Sequence, residues 1–157
     1  MEFWDLYQQY GNRIYSYFLR YLGNREDAAD LTGNVFLKAQ ESFGELREQN
    51  RAEAWLWAIT RNTAKNFLRD RKELVPLEEG ILQGQPSPFS ENGHRVVRLK
   101  TALRRLSGDD REILILREYH AFTYEELAAL LETSTAAVRS RLFRARQNLK
   151  STYFARE

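Results

Sequence analysis

All three prolines of the chain, Pro76, Pro86 and Pro88, fall between Glu73 and His94, together with Gly80, Gly84 and Gly93. Proline removes an amide donor and fixes φ, and glycine frees the backbone, so no sustained helix or sheet ladder is expected through ELVPLEEGILQGQPSPFSENGH. Residues 73–94 therefore read as a flexible linker. They divide the chain into an N-terminal block, 1–72, and a C-terminal block, 95–157. Apolar residues in both blocks recur at helical spacing, and neither block alternates as a strand would. The expected fold class is all-α: two small helical domains, of three and four helices, joined by the linker.

In the first block, Leu6, Tyr10, Ile14, Tyr17 and Tyr21 share one side of a helix from about Phe3 to Leu22. Gly23-Asn24 breaks it, and Asn24 can cap a second helix reaching about Ser42. Glu26 and Asp27 favour the positive end of that helix, and Ala28, Leu31, Val35 and Ala39 form its inner face. A polar loop, Phe43 to Asn50, precedes a third helix from about Arg51 to Lys72. Trp55, Leu56, Ile59, Thr63 and Phe67 are expected to pack inward there, with Trp55 filling the core. Arg61, Lys65, Arg69, Arg71 and Lys72 are expected to project outward, opposed only by Asp70.

The second block opens with an amphipathic helix carrying Val96, Leu99, Leu103 and Leu106. Ser107 caps the next, Asp109 to about Tyr119, with Ile113, Leu114, Leu116 and Tyr119 as its apolar residues. Thr123-Tyr124-Glu125-Glu126 has the form of a capping box, Thr123 as N-cap and Glu126 reaching back. Leu127, Ala128, Leu130 and Leu131 give that helix an apolar face. After Glu132-Thr133, Ser134 can cap a last helix, Thr135 to Lys150.

That last helix, TAAVRSRLFRARQNLK, is basic and contains no acid. Val138, Leu142, Ala145 and Leu149 make an apolar stripe, while Arg139, Arg141, Arg144, Arg146 and Lys150 lie off it. Ordinary surface helices mix charge signs for i,i+4 pairing. A helix docked by one face and cationic on the others suits the DNA major groove. Helix, short turn and longer basic helix is the helix-turn-helix order, with a plain αα-hairpin as the bland alternative.

Other classes of chemistry have little to work with. The chain has no cysteine, which removes disulfides, thiol catalysis and thiolate metal sites together. Its only histidines, His94 and His120, are isolated from each other in sequence. No catalytic residue, metal site or cofactor is expected, and the chain is not read as an enzyme. Neither a signal peptide nor a run of about 18 apolar residues is evident, so a cytoplasmic protein without membrane insertion is expected. The formal net charge is only +2. DNA affinity grows with the number of phosphates neutralised, so this chain should bind DNA weakly without help.

DAADLTGNVFLKA (Asp27 to Ala39) and WLWAITRNTAKNFLRDRK (Trp55 to Lys72) in the first block resemble bacterial sigma factors of the extracytoplasmic-function (ECF) group. So do LRRLSGDDREILILREYHAFTYEELAALL (Leu103 to Leu131) and VRSRLFRAR (Val138 to Arg146) in the second. The order of these stretches, with a proline-bearing linker between them, extends the resemblance over nearly the whole chain. It implies that 1–72 is sigma region 2, binding core RNA polymerase and opening the minus-10 promoter element. It implies that 95–157 is region 4, reading the minus-35 element through its helix-turn-helix. The implied partners are core polymerase, through the largest subunit's clamp helices and the flap, promoter DNA and an anti-sigma factor that holds the chain inactive.

Residue by residue, the resemblance implies minus-35 contacts by Arg139, Ser140, Phe143 and Arg144. Arg139, Ser140 and Phe143 independently share a face at i, i+1 and i+4. Arginine can bond guanine bidentately and phenylalanine can touch a thymine methyl. Arg141 and Arg146 fit phosphate or solvent. For the minus-10 element the implied positions are Asn62, Lys65, Asn66 and Arg69, with Arg61 beside them. Opening a strand requires a pocket for an unstacked base, for which Asn62 and the loop Phe43 to Asn50 are the candidates. The polymerase surface is implied at Asp30, Asn34, Leu37 and Lys38.

The chain departs from the family pattern at Gly33-Asn34, where Gln-Glu is usual, and at Gln40, usually aromatic. Asn66, Ser107, Glu132 and Ala137 stand where Asp, Pro, Gly and Thr are common. Glu132 in a left-handed turn would carry strain. Promoter elements two helical turns apart are separated by roughly 70 Å. The linker spans at most about 75 Å fully extended, but only ~26 Å on average as a free coil. Polymerase would have to hold it stretched. The alternative function is a helix-turn-helix regulator that works without polymerase.

Overall fold

The computed structural model describes residues 2–71 and 91–155, which cluster into two compact units, each all-helical. The first holds α1 (Phe3–Leu22), α2 (Arg25–Ser42) and α3 (Ala52–Asp70). The second holds α4 (Glu91–Arg105), α5 (Gly108–Leu114), α6 (Tyr124–Leu130) and α7 (Thr135–Tyr153). Residues 72–90, most of the expected linker and including Lys72, lie outside the described residues; residues 91–94, expected in the linker, instead form the first turn of α4, so the helix tolerates Gly93. Among those described, no helix is long and apolar enough to cross a membrane.

Local chemistry sets the ends of the first unit's helices. The Glu2 and Asp5 side chains exchange bonds with each other's backbone amides at the start of α1. Gly23 ends the helix at φ 73°, returning its amide to the Leu19 carbonyl at 2.9 Å. That left-handed position suits a residue without Cβ. The Asn24 side chain then accepts the Asp27 amide at 2.9 Å and opens α2. Leu6, Ile14, Tyr17 and Phe18 meet Ala28, Leu31, Val35 and Ala39 in the core.

The face that α3 buries differs from the sequence expectation. Leu56, Trp57, Thr60, Thr63 and Ala64 are buried, whereas Trp55, Ile59 and Phe67 are only half-buried. Trp57 rather than Trp55 fills the core, its ring edge-on to Tyr17 at 5.5 Å and beneath the Arg13 guanidinium at 5.8 Å. Periodicity alone does not choose between two tryptophans two residues apart. Here the aromatic and cationic partners on α1 select Trp57. The buried Thr60 hydroxyl donates to the Leu56 carbonyl at 2.8 Å, so its burial leaves no donor stranded. Arg71 is also not the free outward cation expected. Its guanidinium is bonded to Asp27 in the first turn of α2 and lies 5.2 Å from the Phe67 ring.

In the second unit a buried arginine joins two helices. Arg111 of α5 donates to the carbonyls of Leu103 (3.0 Å), Arg104 (2.9 Å) and Leu106 (3.1 Å). These carbonyls lie at the negative end of α4 and just beyond it, where a cation is favourably placed. Ser107 accepts the Asp110 amide at 3.2 Å and caps α5 as expected. Beyond Leu114 the helix widens into a π-helical segment, Ile115–Tyr119, closed by His120 N–H to the Ile115 carbonyl at 3.1 Å. The wider turn shifts which side chains face inward, and Tyr119, read from the sequence as an apolar residue of this helix, is 51% exposed. Leu99, expected on the inner face of α4, is 41% exposed.

Candidate nucleic-acid interface

The interface begins at a helix cap. The Thr123 amide donates to Glu126 Oε1 and the Glu126 amide to Thr123 Oγ1, both at 3.0 Å, the reciprocal box expected at the start of α6. The chain then turns through Glu132 at φ 55°, with the Thr133 amide returning to the Ala128 carbonyl at 2.9 Å. A non-glycine residue in this left-handed conformation carries strain, as does Ala121 at φ 57° before α6. Ser134 Oγ accepts the Ala137 amide at 3.1 Å and starts α7.

α7 is held by one stripe. Val138, Leu142 and Ala145 are fully buried, and Leu149 is half-buried. The other faces are open. Arg139, Ser140, Arg141 and Arg144 are exposed, and Phe143 is 64% exposed. A phenylalanine standing in water beside arginines forgoes burial that its ring could have gained. Among the described residues, no acid pairs with Arg139, Arg141 or Arg144.

Arg146 behaves differently. Its Nε and Nη2 donate to Glu118 Oε1 at 3.0 and 2.6 Å. That bond leads the causes that raise the Arg146 pKa above its ordinary value, and Tyr124 adds to it. The side chain read from the sequence as a phosphate or solvent contact is therefore tied to its own unit. Its acid comes from the π-helical segment, which inspection of α7 alone does not reveal. Two arginines also converge on Tyr124, the first residue of α6. Arg117 lies 4.6 Å and Arg139 5.6 Å from the ring centre. Residues 117, 124 and 139 belong to three elements, so no local periodicity links them.

On the first unit, α3 displays Asn62, Lys65, Asn66 and Arg69 as exposed side chains at i, i+3, i+4 and i+7, a single strip. Arg61 is half-buried beside it, and Arg69 lies 3.6 Å from Asp70. The loop before α3 is built from two 3-10 turns, Phe43–Glu45 and Gln49–Arg51. Phe43 is anchored edge-on to Phe3 at 5.9 Å. On α2, Asp30, Asn34, Leu37 and Lys38 form another exposed strip, with Leu37 61% exposed. Gly33 lies on this exposed side, and a Cβ built there meets nothing within 4 Å. Among the described residues, no group of three or more His, Asp or Glu could hold a metal.

Two helical units, one carrying a helix-turn-helix whose second helix is cationic, define a helix-turn-helix DNA-reading class. The family models for "Sigma-70 region 2" and "Sigma-70, region 4" match residues 6–73 and 97–149. RNA polymerase sigma factor YlaC of Bacillus subtilis is 33% identical over 93% of this chain and 88% of its own length. The ECF RNA polymerase sigma-E factor of Haemophilus influenzae is 30% identical over 93% and 84%. The fold matches the sigma factor RpoE, solved with the anti-sigma factor NepR from Bartonella quintana. Its TM-score is 0.75 at 22% identity, covering 99% of this chain and 98% of that one. The chain belongs to the ECF group of RNA polymerase sigma factors in the sigma-70 family.

Proposed function

We propose that the two units divide promoter recognition as regions 2 and 4, the second extending from the start of α4 at Glu91 rather than from residue 95. α7 reads the minus-35 element in the major groove through Arg139, Ser140, Phe143 and Arg144. The α3 strip of Asn62, Lys65, Asn66 and Arg69, with Arg61 beside it, engages the opened minus-10 element. Asp30, Asn34, Leu37 and Lys38 dock on the clamp helices of the polymerase largest subunit, while the second unit meets the flap. The observation that carries this reading is the division of α7 into a fully buried apolar stripe and an uncovered face of arginines and Phe143. Such a helix can place side chains on base edges without unpacking its unit.

The low net charge supports dependence on core polymerase. We further propose an anti-sigma partner. The RpoE match was solved with one. The test is run-off transcription with purified core polymerase on a promoter library, with footprinting in the presence and absence of core. Core-dependent initiation at promoters sharing a minus-35 motif is expected. Absence of both transcription and core binding would reject the proposal. A specific footprint without core would favour a polymerase-independent regulator.

A further inference from the structure

Arg139 is exposed on α7, and a long exposed side chain has many rotamers to lose on binding. This one is not left to itself. Its guanidinium lies 5.6 Å from the centre of the Tyr124 ring. The ring in turn has a fixed mounting. Tyr124 is the first residue of α6, directly after the cap formed between Thr123 and Glu126. Arg117, whose Nη1 donates to the Phe122 carbonyl at 2.7 Å, lies 4.6 Å from the same ring. A half-buried tyrosine thus gathers two arginines, and one of them, Arg117, is also held by another bond. Among the described residues, Tyr124 is what steadies Arg139.

We propose that Tyr124 is a positioning residue for Arg139: its ring holds the guanidinium in a restricted orientation on the open face of α7 and thereby sharpens discrimination at the base pair that Arg139 reads. The inference rests on the reading of α7 as the minus-35 helix. Cation–π attraction is weak at exposed sites, but it acts before DNA arrives, so ordering Arg139 costs less on binding. The ring, not the hydroxyl, faces Arg139.

The test uses holoenzyme formed with core polymerase and templates carrying each single substitution in the minus-35 element. Arg139→Ala identifies the base pair concerned. Tyr124→Leu should lower discrimination at that pair by about fivefold and leave the other positions within about twofold. Tyr124→Phe, which keeps the ring, should restore it. If Tyr124→Leu weakens all templates equally, or Tyr124→Phe is as damaging as Tyr124→Leu, the tyrosine is only packing or a hydroxyl donor, and the proposal fails. If Arg139→Ala itself changes no base preference, the reading of α7 fails instead. The unaltered chain supplies a second measurement that needs no folded variant. The Arg139 Cδ protons should resonate upfield of those of Arg144 by NMR, through the ring current of Tyr124, and equal shifts would overturn the inference.

Discussion

Arg111 concentrates much of the second unit's stability in one side chain. Its guanidinium serves three carbonyls at the end of α4, and neither a methionine nor a leucine can donate to them. Arg111→Met should destabilise the unit by about 3 kcal/mol, read as a lowered urea midpoint. An unchanged midpoint would mean that water replaces the guanidinium. Arg144 stands at the opposite extreme, exposed and without an acid among the described residues. Arg144→Ala should cost about 1–3 kcal/mol at one base-pair position and leave the fold unchanged. A loss uniform across promoter sequences would make Arg144 a phosphate contact. The contrast shows why arginines are hard to sort from sequence. Arg111, Arg146 and Arg144 sit in similar helical contexts, yet their roles depend on α4 carbonyls, on Glu118 and on open solvent.

At the scale of the element, caps were the most legible features. Asn24, Ser107, Thr123 and Ser134 all bond where their spacing predicted, because capping acts within one helical turn. The inward face of α3 was not legible, since Tyr17 on another helix decides between Trp55 and Trp57. The π-helical segment was not legible either, for hydrogen-bond register leaves little trace in composition. Two elements carry strain or slack that substitution can remove. Glu132→Gly should stabilise the turn by about 1 kcal/mol by relieving the left-handed side chain. Gly33→Ala should stabilise α2 by roughly 0.5–1 kcal/mol, because the added methyl meets nothing. Both are checked by thermal melts. Measuring core-polymerase affinity of Gly33→Ala in parallel separates a glycine retained for close approach, which would show weaker binding, from one that is merely tolerated.

For the whole molecule, the prolines and glycines announced two helical units correctly, and the basic helix announced DNA. The pairing of exposed strips on α2 and α3 with particular partners came from resemblance, since exposed polar strips look alike whatever they meet. The near-neutral charge leads to a prediction at this scale. The free chain should show no specific duplex binding at physiological salt, while holoenzyme binding should fall steeply as salt rises. Electrophoretic mobility shifts over a salt series with and without core check it, and tight specific binding by the chain alone would contradict it. The bond between Arg71 and Asp27 has a mechanical consequence. It ties the residue that follows α3 to the opening turn of α2. A load applied at the end of α3 would be shared with α2 rather than borne by the last turn alone. The clasp would work as a strain relief, like the clamp that keeps a pulled cable from tearing its solder joint.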